Sequence, residues 1–381
     1  MAAHESGSEV PGPDGPDRVR VALVLGTATG GMGRHVASLA QGLVRAGGFD
    51  VTIYGPATTA ALHGLTALGA RFVPLEIPAN PRPGDVRAVG ALRKELRAHP
   101  ADIVHAHGLR AGLVAALGRS GPCRLVVTWH NTVLGTGARA RVLRAAEKYV
   151  ARHTDVTLGA SDDLVARAVE LGARDARLCS VAAPDLPAPT RRPEEIRTDI
   201  GAADRPLIVS VGRLHPQKGY DVLIAAAARW RTLTPTPLVA IAGTGPSYRD
   251  LAALVSTSRA PVLLLGHRAD IADLLSAADL AVVTSVWEAR QLFAQEALAS
   301  GVPLVSTDVG GLAGLVGDAA VLVPAGDVDA LDGAVRRLLA DPALRAGYTA
   351  AGQARAATWP TPADTVAQVA AVYRDLAGPH P

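Results

Sequence analysis

The side chains best suited to binding or catalysis include two carboxylates eight positions apart, Glu288 and Glu296. The apolar run Leu280-Ala-Val-Val-Thr284 before them is typical of a buried parallel strand, and the helical stretch that contains them ends at Gly301. This pattern predicts Glu288 in the strand-to-helix loop and Glu296 roughly two turns into the helix. In an open α/β sheet this edge faces the ligand crevice, where carboxylates accept hydrogen bonds from sugar hydroxyls and a helix start attracts phosphate. A structural explanation remains open, because a glutamate near a helix start also offsets the helix dipole.

A cationic turn, Gly212-Arg-Leu-His-Pro-Gln-Lys-Gly219, follows the strand-like run Leu207–Val211. It places Arg213 and Lys218 beside a helix start, and Lys218 is one of only three lysines in the chain. Two fixed cations of this kind neutralise the charge that develops on a departing diphosphate. The alternative is a solvated basic turn.

A glycine-rich loop, Gly26-Thr-Ala-Thr-Gly-Gly-Met-Gly33, lies between the first strand-like run and a helix. Glycines let a backbone approach a phosphate or sugar closely. The spacing differs from that of the dinucleotide-binding fingerprint, and Asp50 precedes the second strand instead of ending it, which disfavours a nicotinamide dinucleotide. A tight turn without a ligand is the structural alternative.

Histidines end two further strands of the first half, as His105-Ala-His107 and as Trp129-His130-Asn131. A metal site is an alternative, but the sequence offers no acidic third ligand beside the histidine pair. We expect His105 to be structural, because it lies inside its strand, and His130 to line the crevice.

The elements that must position these residues alternate between strand and helix from Val19 onward, which is typical of βαβ units and a parallel sheet. The helical stretches include His35–Arg45 and Val86–Ala98. A stretch with four prolines, 184–193, interrupts this alternation and reads as a linker between domains. The pattern predicts a disordered tail (1–18), two Rossmann-like domains (19–185 and 186–360) and a last helical segment (361–381).

The composition excludes several classes of protein. The chain of 381 residues is 49% hydrophobic but only 3% aromatic, which suits helices packed on parallel sheets. A net charge of +3 with no dense basic tract is too slight for nucleic-acid binding. Two cysteines without a CxxC pair predict neither a disulfide framework nor that type of zinc site. No apolar run is long enough for a signal peptide or a membrane span, so we expect a cytoplasmic protein.

Taken together, the motifs resemble the nucleotide-sugar-binding half of a family 4 retaining glycosyltransferase. They are Arg213 with Lys218-Gly219, the turn 243–246, Glu288 and Glu296 with the sequence after them, and Gly310-Gly311. The likeness extends to Gly30-Gly31, His107 and His130 and covers roughly residues 19–376. It implies the GT-B architecture, in which two Rossmann-like domains with parallel sheets face a central cleft.

The resemblance also implies roles for individual residues. Arg213 and Lys218 would hold the donor diphosphate, Glu296 the ribose, Glu288 the transferred sugar, and His130 the sugar near the reacting carbon. The catalytic set is then His130, Arg213, Lys218 and Glu288, with His107 on the acceptor side. The other implied donor-binding residues are Gly30, Gly31, Gly212, Gly243, Gly245, His267, Arg268, Leu292, Phe293 and Glu296. The last helix would cross back to the first domain.

The implied reaction is hexosyl transfer with retention (EC 2.4) from a nucleoside-diphosphate sugar, the co-substrate, without cofactor or metal. The leaving phosphate would act as base for the acceptor hydroxyl. The acceptor is a glycan, a lipid-linked precursor or a small molecule, and synthesis of cell-envelope polysaccharide is one expected role. Basic residues at helical spacing, Arg141, Arg144, Lys148 and Arg152, predict either contact with the inner membrane surface or a solvated helix face.

The sequence departs from the family pattern at Ala289 and Gln291, where many relatives have Gly and Gly or Pro, and at Ala313-Gly314, where Pro-Glu is common. These departures leave the identity of the donor sugar open. They also leave two alternatives, a catalytically silent GT-B protein that binds a sugar nucleotide or a partner transferase, and a sugar-nucleotide epimerase on the same architecture.

Overall fold

The computed structural model describes residues 18–28, 30–78 and 85–378. Within these ranges the strands form two sheets, in which every neighbouring pair is parallel. The seven strands of the first sheet are β1 (Val19–Leu25), β2 (Phe49–Gly55), β3 (Arg71–Pro74), β4 (Ile103–His107), β5 (Arg124–Trp129), β6 (Val156–Gly159) and β7 (Ala176–Leu178). The six strands of the second are β8 (Leu207–Val211), β9 (Leu238–Ala242), β10 (Val262–Gly266), β11 (Leu280–Val283), β12 (Leu304–Thr307) and β13 (Val321–Val323). Their orders are 3-2-1-4-5-6-7 and 10-9-8-11-12-13. In each sheet the first strands of the half are added toward one edge, and the later strands are added toward the other edge, starting beside the first strand.

Helices follow most of these strands. In the first half they are α1 (Gly31–Ala46), α2 (Ala57–His63), α3 (Asp85–Ala98), α4 (Gly108–Gly118), α5 (Gly137–His153) and α6 (Asp162–Glu170). In the second half they are α7 (Pro193–Asp199), α8 (Tyr220–Arg229), α9 (Tyr248–Ser258), α10 (Ile271–Ala277), α11 (Leu292–Ala299), α12 (Leu312–Val316), α13 (Val328–Ala340), α14 (Pro342–Ala356) and α15 (Pro362–Ala377). Short 3₁₀ turns lie at Leu65–Ala67, Pro216–Lys218, Trp230–Thr232 and Gly317–Ala319.

The predicted fold class is confirmed, with one Rossmann-like sheet in each half of the chain. The apolar runs Leu207–Val211 and Leu280–Thr284 form β8 and β11, and the first strand begins at Val19 as predicted. The sequence misses β3 and β7, whose residues are exposed or half-buried. Both are edge strands, covered on fewer sides than central ones, so they carry no apolar run.

The apolar cores cover both faces of each sheet, as parallel sheets require. Between the sheets the chain runs without a helix or strand from Leu178 to Pro193. Its end is fixed on α10, where the Asp273 carboxylate accepts hydrogen bonds from the Thr190 and Arg191 amides at 2.6 and 3.1 Å. The predicted linker therefore has a defined place, while the domain boundaries stay predictions.

The last helix, α15, packs on the first sheet's side of the molecule, against α1, β1 and β4. Its apolar face, which includes Val366, Val369 and Tyr373, is buried in the core cluster of β1 and β2. The predicted tail (1–18) lies outside the described residues except for Arg18, as do the last three residues of the segment 361–381.

Both cysteines, Cys123 and Cys179, are buried free thiols. In the described part of the chain, no helix combines the length and the apolar character that crossing a bilayer requires.

Candidate active site

A cavity of about 660 Å³ lies between the two sheets, at the loops that follow the carboxyl ends of β1, β5, β8, β9 and β11. Thirteen of the fifteen residues predicted for the site line it. They are Gly30, Gly31 and His130 from the first half, and Gly212, Arg213, Lys218, Gly243, His267, Arg268, Glu288, Leu292, Phe293 and Glu296 from the second. His107 and Gly245 do not line it: His107 is buried behind His130, and Gly245 packs against the Leu214 backbone.

Lys218 and Glu288 form an ion pair in the cavity wall. The Lys218 Nζ donates to Glu288 Oε1 at 2.5 Å, and the Ser285 hydroxyl donates to the same oxygen at 2.7 Å. The two side chains are 19% and 10% exposed, so water screens the pair poorly. Since both donors use Oε1, the Oε2 oxygen can accept a hydrogen bond from a ligand hydroxyl.

The loops that carry this pair are joined by hydrogen bonds to each other's backbone. The Thr284 hydroxyl donates to the Lys218 carbonyl at 2.9 Å, and the Val286 amide donates to the Gln217 carbonyl at 2.9 Å. Gly219 has a φ of 59°, and a Cβ there would lie 2.1 Å from the Thr284 carbonyl oxygen. Glycine at 219 thus permits the close packing that sets Lys218 against Glu288.

The Gly310-Gly311 pair supports the Glu288 loop from the other side. The Gly311 amide donates to the Glu288 carbonyl at 2.9 Å. A Cβ at Gly310 would lie 2.1 Å from the Glu288 carbonyl oxygen, and one at Gly311 would lie 2.3 Å from that of Ala289. The glycine pair thus shapes the loop although the residues after it depart from the family pattern.

Backbone packing also explains the turn at 243–246. A Cβ at Gly243 would lie 1.9 Å from the Gly212 carbonyl oxygen, and one at Gly245 would lie 2.2 Å from that of Leu214. Gly245 therefore supports the cationic turn instead of lining the cavity. Arg213, on that turn, is exposed at the cavity rim. On the far side, Arg268 pairs with Asp270, the Nε donating to Oδ1 at 2.7 Å.

Glu296 lies one turn into α11, not two, because the helix begins only at Leu292. Its side chain is 3% exposed, and its Oε1 lies 2.7 Å from Nη1 of Arg34 on α1. The two atoms make a close ion pair without the alignment of a hydrogen bond. Arg34, which the sequence analysis missed, comes from the opposite half of the molecule and also lines the cavity.

A cluster of histidines forms the first half's side of the site. His130 Nε2 and His107 Nδ1 lie 3.2 Å apart, and His107 is 1% exposed behind His130. His105 is buried, with Nδ1 2.5 Å from the Tyr373 hydroxyl and Nε2 2.7 Å from that of Thr128, so its predicted structural role is confirmed. Burial lowers the pKa of His105 to about 3 and holds the pKa values of His107 and His130 well below the usual range.

His35, on the buried face of α1, is the fourth histidine and another residue that the sequence analysis missed. Burial lowers its pKa to about 4. Nitrogen atoms of His35, His107 and His130 lie within 4.8 Å of one another, so a third imidazole stands where the sequence showed no third ligand. His107 Nε2 is buried without a hydrogen-bond partner among the described residues. At neutral pH each of these uncharged rings has one nitrogen that donates a hydrogen bond and one that accepts.

The loop between β11 and α11 also contacts the first half, at α6 and at the segment that follows β7. The Trp287 indole donates to Asp163 at 3.1 Å, and the Arg290 Nε donates to the Val181 carbonyl at 3.1 Å. Burial lowers the pKa of Arg290 to about 10, and Arg355 adds a smaller repulsion. The arginine next to Ala289 therefore anchors this loop to the segment that follows β7.

Comparisons with known proteins agree with this geometry. Residues 30–184 match the family described as "Glycosyl transferase 4-like domain", and residues 205–341 match "Glycosyl transferases group 1". The chain is 32% identical to a glycogen synthase of Mycobacterium tuberculosis, over 89% of this chain and 90% of that protein. It is 30% identical to a D-inositol 3-phosphate glycosyltransferase of Mycolicibacterium paratuberculosis, over 91% and 86%.

Two solved structures show the same fold. A sucrose-phosphate synthase from Thermosynechococcus elongatus superimposes with a TM-score of 0.77 and 22% identity, over 94% of this chain and 99% of that one. Anabaena HepE, solved in complex with UDP-glucose, superimposes with a TM-score of 0.79 and 21% identity, over 93% and 99%.

The chain belongs to the group 1, or family 4, glycosyltransferases, and its two parallel sheets around a cleft have the GT-B fold. It is a nucleotide-sugar-dependent glycosyltransferase of the hexosyltransferase class, EC 2.4.

Proposed function

We propose that the protein transfers a hexosyl group, with retention of configuration, from a nucleoside-diphosphate sugar to a hydroxyl of a cell-envelope glycan or of its lipid-linked precursor. The observation that carries this proposal is the cavity of about 660 Å³. Its lining includes two cations, two acids and a histidine: Arg213, Lys218, Glu288, Glu296 and His130. Cations for a diphosphate and acids for sugar hydroxyls are thereby within reach of a single ligand.

In this proposal the donor diphosphate lies between the Gly30-Gly31 backbone and the cations Arg213 and Lys218. Glu296 accepts hydrogen bonds from the ribose, and Glu288 accepts one from the transferred sugar through its Oε2. The base lies against residues 266–268, and Leu292 and Phe293 belong to the same donor wall. Support comes from their shared cavity and from the relatives, one of which was solved with UDP-glucose. A uracil nucleotide is therefore the first donor to test.

The proposed reaction breaks the bond between the anomeric carbon and the diphosphate oxygen and forms a bond from the acceptor oxygen on the same face. The acceptor proton moves to the departing phosphate, so the products are a glycoside and a nucleoside diphosphate. Lys218 and Arg213 stabilise the charge that develops on the departing oxygens. His130, uncharged because burial lowers its pKa, faces the positive sugar carbon without repelling it. Its neighbour His107, buried behind it, orients the His130 ring; an acceptor-side contact by His107 itself is not part of this proposal, because His107 does not line the cavity.

Binding of UDP, GDP, ADP and their glucose conjugates, measured by thermal shift, tests the donor part of this proposal. We expect one nucleotide series to raise the Tm and its sugar conjugate to be consumed in the presence of acceptor. NMR of the product should show the donor's anomeric configuration. Binding without turnover would favour a catalytically silent protein, and conversion of the donor sugar without acceptor would favour an epimerase.

The two cations also bear on whether the reaction requires a metal ion. Since Arg213 and Lys218 supply positive charge at the diphosphate, we propose that transfer requires no metal ion. Turnover should stay unchanged when EDTA is added and when Mg²⁺ or Mn²⁺ is then restored. A loss of activity in EDTA that either metal reverses would contradict this.

We propose that the enzyme acts in the cytoplasm, at the inner face of the membrane. On α5, Arg141, Arg144 and Lys148 are exposed beside Val142, which is 65% exposed. Basic and apolar side chains together suit an anionic surface. We expect sedimentation with phosphatidylglycerol vesicles at low salt, weaker sedimentation with phosphatidylcholine alone, and loss of binding in R141E/K148E. Equal binding by the variant would leave α5 as a solvated face.

A further inference from the structure

The two acids of the cavity differ in where their counter-charges come from. Glu288 pairs with Lys218 and Ser285, which belong to its own half of the molecule. Glu296 is the more deeply buried acid, and the cation that reaches it is Arg34, the fourth residue of α1 in the opposite half. A buried carboxylate needs such a counter-charge, because the low dielectric around it strongly disfavours an isolated charge.

The helices on both sides of the cleft place Arg34 where it can contact the opposite half. α1 begins at Gly31, and a Cβ at Gly31 would lie 3.1 Å from the side chain of Leu292, the first residue of α11. The starts of the two helices therefore abut, and Arg34 and Glu296 each lie one turn further in. The Arg34 side chain is 38% exposed, so it reaches Glu296 from the open part of the cavity.

We infer that Arg34 is a positioning residue for the donor: by holding Oε1 of Glu296 from across the cleft, it turns the remaining carboxylate oxygen toward the ribose hydroxyls. This inference rests on the proposed function, in which Glu296 receives the ribose. A carboxylate has lone pairs for several partners, so the ion pair and the ribose contact can coexist. Because the two partners come from different halves, ribose recognition and closure of the cleft become one event.

The test compares ribonucleotides with deoxyribonucleotides on Arg34 variants. The dissociation constants of UDP and 2′-deoxy-UDP, or of the GDP or ADP pair if one of these is the nucleotide that binds, are measured by calorimetry. Wild-type protein should prefer the ribonucleotide by about tenfold, the worth of a hydrogen bond to a charged group. R34Q should reduce this preference to about twofold or less. Arg34→Lys, which keeps the charge, should restore part of it, and Arg45→Gln, at the exposed end of α1, should match wild type.

A purely structural role would weaken both nucleotides equally and leave their ratio unchanged, so an unchanged ratio in R34Q would overturn the inference. A larger ratio would also overturn it, because Arg34 would then compete with the ribose. If wild-type protein binds none of UDP, GDP and ADP, the proposed function fails together with the inference. Binding with an unchanged ratio makes the inference alone fail.

Discussion

The Lys218 side chain has two roles. It neutralises Glu288 in the site without ligand, and it faces the position proposed for the donor diphosphate. Its Nζ lies 2.5 Å from the Glu288 carboxylate in a poorly hydrated wall. We predict that Lys218→Met lowers kcat by about 10²–10³, the usual cost of losing one preorganised group that stabilises developing charge. Lys94→Met, which changes an exposed lysine on α3, is the control. Steady-state kinetics with saturating donor would contradict the assignment if both variants kept wild-type kcat.

The buried histidines should make the free energy of unfolding depend on pH. The folded protein keeps His35 neutral down to about pH 4 and His105 down to about pH 3, whereas the unfolded chain protonates both near pH 6.5. Below pH 6.5 the unfolded state therefore binds more protons, so the stability present above that pH is lost as the pH falls toward 4. Each such histidine contributes a slope of up to about 1.4 kcal/mol per pH unit.

Urea unfolding between pH 4.5 and 7.5 measures this slope. We expect His35→Gln to have a shallower slope than wild type, because one group that titrates only in the unfolded state is gone. His99→Gln replaces an exposed histidine and should retain the wild-type slope. Identical slopes in all three proteins would show that His35 does not titrate on unfolding.

At the scale of elements, the position of Glu288 depends on glycines that touch the backbone of its loop. A Cβ at Gly311 would lie 2.3 Å from the Ala289 carbonyl oxygen, whereas one at Gly314, inside α12, would meet no atom within 4 Å. We predict that Gly311→Ala costs about 1–3 kcal/mol of unfolding free energy, since the loop must move. Gly314→Ala should stabilise the protein by about 0.5–1 kcal/mol, since alanine favours a helix.

The same pair of variants separates loop position from global stability. Gly311→Ala should also lower kcat at a temperature where the protein remains fully folded, because Glu288 and Lys218 move apart. Gly314→Ala should keep wild-type kcat. If Gly311→Ala lost stability but no activity, the placement of Glu288 would not depend on this contact.

The sequence predicts the elements well where burial and periodicity agree. β1 and β8 are central strands in which buried apolar residues predominate, and β8 has the bounds Leu207–Val211 that the sequence predicts. β3 begins with exposed Arg71, and at the edge of the sheet tertiary pairing defines the strand without an apolar signal. The sequence overestimates the depth of Glu296 in its helix, because the residues up to Gln291 belong to the loop and α11 begins only at Leu292.

The site residues divide in the same way, into those that a local sequence motif identifies and those that only the tertiary fold brings together. Lys218, Gly219 and Glu288 belong to local motifs, so sequence reasoning found them. The ion pair between Arg34 and Glu296 joins two halves that only the tertiary fold brings together, and no local pattern connects them. His35 left one usable signal, since it lies on the inward face of α1 beside Val36 and Leu39, where a polar ring needs an explanation.

At the scale of the whole molecule, two consecutive helices belong to different halves. α14 packs on the second sheet's helices, and the Thr349 hydroxyl donates to the Gly301 carbonyl at 2.9 Å. α15 returns to the first half, where the Thr365 hydroxyl donates to the Ser180 carbonyl at 2.9 Å and Tyr373 contacts His105. The stability of the first half therefore depends on the last segment of the chain.

Replacing one tyrosine on each helix tests this crossing. Tyr373 is fully buried among first-half residues, so we predict that Tyr373→Ala costs about 3–5 kcal/mol. Hydrogen exchange by mass spectrometry should show lost protection in β1 and β4, with β8 and β9 unchanged. Tyr348→Ala on α14, which packs against the core around β8 and β9, should show the reverse pattern. If Tyr373→Ala weakened both halves equally, the two would unfold as one cooperative unit, and the cleft between them would open only by rigid rotation or by global unfolding.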